Sequence, residues 1–295
     1  MKINTSLHTQ VLSEKAGKQI INIDRINILD LDQQEIIQLF KAEGLLLFRG
    51  FETNVEIFTK FSNIFSTNFM DYTGGVFNRK IINNDPTVLT VNDFQTEIKL
   101  HGEMYYQQNI PLMLWFFCAH PALQDGETIV CDGQLFYNEM SNSLKNLFSK
   151  KKLKYNGHLN QDEWKKRYKT DDLSVIKQIC ESNKINIQVN ENESIDLHYT
   201  CPAIHLSKYG NHPVFINSLL PTKSLYPKAV CFDDDSEITD DIISELSEIA
   251  AKTTVDIRWQ KGDILMVDNT RIMHGRRAFA DDQRDIYLRL CSPSF

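Results

Sequence analysis

The sequence predicts a mainly β protein with flanking helices, its core a β-sandwich or barrel. Short apolar runs bounded by Gly, Pro, Asn and Asp recur along the chain, and two early amphipathic helices and one late one frame them. No internal repeat or low-complexity linker interrupts the pattern. With 42% hydrophobic and 24% charged residues over 295 positions, the chain fills a substantial core and global disorder is excluded.

Asp32 and Glu35 have the spacing of a capping box, opening a helix that turns Ile36, Ile37, Leu39 and Phe40 inward and stops at Gly44. Residues 45–51 read as a buried strand ended by glycine. Asn54 caps a second helix whose Ile57, Phe58, Phe61, Ile64 and Phe65 recur at helical spacing and belong to the core. Residues 71–75 mark a turn, and the polar segment through 83–86 reads as a loop placed to shape a substrate mouth.

After Pro111, the aromatic run 112–118 suits a strand buried on both faces. A turn at 121–125 leads into a strand at 126–132, then a helix carrying Leu135, Phe136, Met140, Leu144 and Leu147. Residues 149–194 are polar and weakly periodic, with helical segments about 163–168 and 173–181. They read as an insertion, because too few apolar residues gather there to fill an independent core. Strand-like sequence resumes at 195–199 and 213–217. Thr239 opens an amphipathic helix with Ile242, Ile243, Leu246, Ile249 and Ala250, and the chain closes on strands at 254–259, 264–267 and 285–290.

Charge narrows the function. The 32 basic residues against 39 acidic ones form no basic stripe, so nucleic acid is not an expected partner. No apolar leader and no run long enough to cross a bilayer is visible, which makes the cytoplasm the default location with no membrane partner. Cys118, Cys131, Cys180, Cys201, Cys231 and Cys291 include no Cys-x-x-Cys pair, so they are expected to be reduced.

Two stretches carry candidate chemistry: residues 100–106, with His101 and Glu103, and residues 268–277, with His274. In an extended strand positions i and i+2 share a face, so His101 and Glu103 can reach one metal, and His274 closes the face from far along the chain. Two imidazoles and one carboxylate with open opposite positions suit non-haem Fe(II) oxygenases. By itself His-x-Glu is a weak signal.

Its context is stronger. Leu100 to Tyr106, then Pro111, Trp115, Phe116, Phe117, Cys118, Pro121, Ala122, Gly126, Glu127 and Thr128, and finally Asp268, Asn269, His274, Gly275, Arg276 and Phe279 stand in a telling order. In that order and roughly that spacing, they resemble the Fe(II)/2-oxoglutarate-dependent dioxygenases of the taurine dioxygenase superfamily. Within it they resemble the clavaminate synthase-like group, whose metal carboxylate is often glutamate. The similarity runs loosely over residues 44–289, with 149–196 contributing little.

The resemblance implies a double-stranded β-helix, a jelly-roll core with the metal in its mouth, forming a single oxygenase domain over residues 1–295. It implies that His101, Glu103 and His274 hold Fe(II), with 2-oxoglutarate and O2 as co-substrates. Thr128 and Arg284 would hold the distal carboxylate of 2-oxoglutarate. The family often has a second arginine four residues later; here Arg289 comes five later. If a bulge shifts the strand, Arg289 faces the pocket as well and takes a substrate carboxylate. Arg276 and Arg277 are read as a surface turn or local salt bridge, and Asp268 and Asn269 as shaping the turn before His274.

The implied reaction couples decarboxylation of 2-oxoglutarate to succinate with C–H oxidation, most simply hydroxylation, of a small polar substrate. An amino acid, free or tethered to a carrier protein, in specialised metabolism fits the subgroup, and desaturation or cyclisation are alternative outcomes. Glu103 occupies the position where halogenases of the superfamily have a small residue, which argues against halogenation. Substrate contacts are expected from the 72–79 loop with Arg79, from Met104, Tyr105 and Tyr106, and from Arg289. Two other readings stay open: a zinc hydrolase on the same three ligands, and a non-catalytic jelly-roll binding module.

Overall fold

Alternation along the strand Met113–His120 divides the interior of the molecule. Leu114, Phe116 and Cys118 enter one apolar cluster, while Met113, Trp115 and Phe117 enter another on the opposite side. The expected strand buried on both faces is therefore the wall between two cores. The computed structural model describes residues 7–77, 79–92 and 94–295.

Among those residues Met113–His120 is central to a large sheet. Its neighbours are Ile264–Asp268 and Asp285–Ser292, flanked by Leu45–Arg49 on one side and Asp85–Thr90 on the other. A second sheet runs in the order Val255–Ile257, Thr128–Asp132, Ile272–Arg276 and Ile98–His101, all antiparallel. Val130, Ile257 and Ile272 from this smaller sheet meet Leu114, Phe116, Leu265, Ile286 and Leu288 from the larger one. The two sheets face each other in the jelly-roll manner without closing into a barrel.

On the far side of the large sheet lie helices α1 (Gln33–Glu43) and α2 (Val55–Phe65). Their Ile36, Phe40, Phe58, Phe61 and Phe65 are 0–1% exposed and pack on Trp115 and Phe117. Asn54 caps α2 as expected, accepting from the Ile57 N–H at 2.9 Å. The capping box of α1 is only half formed: Asp32 accepts from the Glu35 N–H, but the Glu35 carboxylate turns to the Leu7 N–H instead.

The outer face of the smaller sheet carries a third layer. Leu100, Ile129, Cys131 and Met273 share a cluster there with Leu153, Trp164, Ile176, Ile195, Phe215 and Leu246. Residues 149–194 include the expected helices, Gln161–Tyr168 and Leu173–Ser182. They also supply two unexpected strands, Leu153–Leu159 and Asn186–Val189, in a four-stranded sheet with Ile195–Cys201 and Val230–Phe232. The segment looks polar in sequence because its apolar residues are spread thinly over two helices and two strands and fill a core only together with residues outside it.

The loop expected at 83–86 is in part a hairpin joining Ile81–Ile82 to Asp85–Thr90. Asn83 and Asn84 take φ of 51° and 59°, the left-handed pair that a tight hairpin turn needs and that asparagine tolerates. Among the described residues no helix is long and apolar enough to cross a membrane.

Candidate active site

Period-two alternation on the smaller sheet places Thr128, His101, His274 and Arg276 on its inner face, opposite Leu100, Ile129 and Met273. His101 and His274 are direct cross-strand partners, with ring centroids 4.4 Å apart. Glu103 is not in the strand: Ile98–His101 ends at the histidine, and Glu103 sits in the turn that follows. The expected route to a shared face, an extended backbone through both residues, is thus replaced by a turn held from outside.

Two backbone features make that turn. A Cβ on Gly102 would lie 2.4 Å from the Tyr105 ring and 2.8 Å from Ile216, so the chain passes there only without a side chain. Met104, 1% exposed, takes φ 63°, a conformation that non-glycine residues adopt sparingly. Asn269, fully buried, accepts from the Glu103 N–H at 2.8 Å and donates to the carbonyls of Glu103 and Pro111. Asn269 therefore positions the Glu103 turn, whereas Asp268 shapes its own turn by accepting from the Thr270 N–H.

His101, Glu103 and His274 are buried, and one donor atom from each lies within 4.8 Å of the others. His274 Nε2 is 3.4 Å from Glu103 Oε2. His101 Nδ1 contacts the Lys99 carbonyl at 2.9 Å; a carbonyl only accepts, so Nδ1 carries the proton and Nε2 presents its lone pair. Burial, then the neighbouring His274, pushes His101 down to about 4, which keeps the imidazole neutral. Burial raises the Glu103 carboxyl, but the Arg79 guanidinium at 3.1 Å and the two histidines outweigh it and hold Glu103 ionised. Two imidazoles and a carboxylate, buried and converging, fit a divalent iron.

The same cavity, about 550 Å3 counted into its open mouth, reaches Thr128, Arg276 and Arg284. Arg284 donates from Nε to the Gly126 carbonyl at 2.8 Å and from Nη1 to Asn92 at 3.1 Å. Burial, and next the Arg276 charge, pushes its guanidinium down to about 9, the mark of a buried cation calling for a counter-ion. Thr128 accepts from the Trp259 indole N–H at 3.0 Å, which leaves its own hydroxyl hydrogen to point elsewhere.

Arg276 corrects an expectation. It is 5% exposed, lines the cavity and donates to the carbonyls of Val91, Phe94 and Thr96, so it is no surface turn. Its signal was in the sequence, two positions past His274 on the same strand face. Arg277, on the other face, pairs with Asp256 at 2.7 Å as the local salt bridge expected.

Four expected substrate contacts lie elsewhere; Tyr106 is absent from the cavity lining, its hydroxyl accepting from the Val76 N–H at 3.2 Å. Arg289 is buried on the α2 side of the large sheet, donating to Ser62, Asn63 and Thr87 and stacked on Phe69 at 3.5 Å. A register shift does occur between Asp285 and Ile286, yet Ile286 and Leu288 then face the inner core and Arg289 faces away. Met104 is packed in the inner core, and Tyr105 donates to the Asn269 carbonyl, away from the cavity. Of the 72–79 loop, Phe77 and Arg79 line the cavity. Sequence reasoning missed Trp259 altogether, since nothing local marks a tryptophan whose role is to meet Thr128 across two strands.

A family model, taurine catabolism dioxygenase TauD, TfdA family, matches residues 8–291. A clavaminate synthase-like protein of Arabidopsis thaliana is 26% identical over 276 residues, covering 86% of this chain and 83% of its own length. The dapdiamide synthesis protein DdaC of Enterobacter agglomerans is 22% identical over 282 residues, covering 88% and 85%. The solved structure of PvcB, an Fe, alpha-ketoglutarate dependent oxygenase from an isonitrile synthetic pathway, covers 94% of this chain and 85% of that one. It superposes with a TM-score of 0.61 at 16% identity, a likeness of fold.

Proposed function

This chain belongs to the TauD/TfdA family and is an Fe, 2-oxoglutarate-dependent dioxygenase, and from that premise we propose that it hydroxylates a C–H bond of a small polar substrate, most simply an amino acid, free or carrier-tethered. The observation that carries the reading is the meeting of His101, Glu103 and His274 with Thr128 and Arg284 in one cavity. Relatives named for dapdiamide synthesis and for an isonitrile pathway support a place in specialised biosynthesis. Cytoplasmic residence is supported by six cysteines that are all unpaired. A single oxygenase domain is supported by the cluster that residues 149–194 share with the smaller sheet.

In this reading His101, Glu103 and His274 hold the iron, which when bound couples oxygen and 2-oxoglutarate decarboxylation to substrate oxidation. His101 is oriented for it by the Lys99 carbonyl and Glu103 by Asn269. Arg284 binds the distal carboxylate of 2-oxoglutarate while Thr128 donates its hydroxyl hydrogen to it. Phe77, Phe94 and Phe116 give the cavity an apolar lining that excludes water from the reacting groups. Glu103 fills the site where a halide would need room, so oxygen transfer is favoured over halogen transfer. Desaturation or ring closure would need the same residues, and substrate position selects among them.

Anaerobic addition of Fe(II) and 2-oxoglutarate to metal-free protein is expected to give a weak visible charge-transfer band. His101→Ala should lose both the band and succinate formation. A well-folded, iron-loaded wild type without the band would overturn the reading, and oxygen-independent activity with zinc would favour a hydrolase.

A further inference from the structure

The Arg79 side chain is only 7% exposed, yet most of its hydrogen-bonding capacity is unused. Nη2 donates to Glu103 Oε2 at 3.1 Å, and the guanidinium lies 4.1 Å above the Tyr72 ring. Nε and Nη1 are buried with no hydrogen-bond partner among the described residues. Each edge of the guanidinium fork thus keeps one unused donor beside Nη2. A buried charge in that state calls for a ligand.

Charge sharpens the point. Among the described residues Glu103 is the one ion-pair partner of Arg79. When Glu103 shares its charge with a divalent ion, its hold on the guanidinium weakens, and a further anion on the unused donors of Arg79 would offset that loss. The fork geometry of arginine suits a planar carboxylate. The distal carboxylate of 2-oxoglutarate has Arg284 for its cation, and Arg289 is already engaged by Ser62, Asn63 and Thr87.

We propose that Arg79 anchors a carboxylate of the organic substrate beside Glu103, so that the enzyme selects acids over their neutral counterparts. The inference rests on the dioxygenase reading above and narrows its substrate class. Tyr72, stacked on the guanidinium, holds the anchor in place.

The test uses the anaerobic Fe(II) and 2-oxoglutarate complexes of wild type, Arg79→Gln and Arg79→Lys. Free L-amino acids, short aliphatic acids beginning with acetate, and the carboxamide of each are titrated while the visible band is followed. Wild type should bind an acid at least about tenfold more tightly than its amide. Arg79→Gln should lose about thirtyfold in acid affinity, the scale of one charge-assisted pair, with amide affinity within about threefold of wild type. Arg79→Lys, which keeps the charge and controls for folding, should fall between.

The inference is overturned if wild type binds amides as well as acids, if Arg79→Gln keeps the preference, or if no acid perturbs the wild-type band. It is overturned equally if Arg79→Gln instead weakens 2-oxoglutarate by a comparable factor, since Arg79 would then serve the co-substrate. In each of these cases the wild-type band still reports the iron and 2-oxoglutarate site; its absence would sink the parent reading itself.

Discussion

Asn269 ties both the N–H and the carbonyl of Glu103 to one buried amide. Asn269→Ala would leave those groups and the Pro111 carbonyl without partners in a dry interior. The expected loss is about 2–4 kcal/mol of folding stability, read by chemical denaturation, and at least about tenfold in iron affinity, read by anaerobic titration. Trp259 acts on the other half of the site by holding the Thr128 oxygen through its indole N–H. Trp259→Phe keeps the ring and removes that donor, so half-saturation by 2-oxoglutarate should rise about three- to tenfold with kcat nearly unchanged. An equal fall in kcat would show that Trp259 serves the chemical step instead.

At the scale of elements, the strand Asp285–Ser292 serves two cores at once. Ile286 and Leu288 fill the space between the sheets, while Arg289 fastens the other face to α2. Arg289→Met should therefore destabilise the fold by about 2–4 kcal/mol, through the polar groups of Ser62, Asn63 and Thr87 left unsatisfied. Half-saturation by 2-oxoglutarate should stay as in wild type; a large rise would return Arg289 to the pocket. The neighbouring hairpin shows the same dependence on local chemistry. Two asparagines with left-handed φ turn what reads as a polar loop into paired strands at the cavity's edge.

For the whole molecule, the candidate ligands join two strands of one sheet to a turn beyond it, so a bound ion braces the mouth of the jelly roll. Mn(II), an inert probe for the iron site, should stabilise the metal-free protein by about 2.7 kcal/mol when free metal exceeds its Kd a hundredfold. Differential scanning calorimetry should show this as a higher unfolding midpoint that a chelator reverses and that His101→Ala lacks. The sequence by itself determined the mainly β architecture and α1 and α2, because strand periodicity and caps are local signals, while the candidate set His101, Glu103, His274, Thr128 and Arg284 was legible only through the resemblance of its motifs to the taurine dioxygenase superfamily. The tertiary structure decided which faces those residues share. It turned Arg289 away, buried Arg276 in the cavity wall, and set Glu103 in a turn held by Asn269. It also brought Trp259 to Thr128 and Arg79 to Glu103. Each of these depends on a bulge, a strand partner or a long-range hydrogen bond, and such contacts exist only once the two sheets have packed.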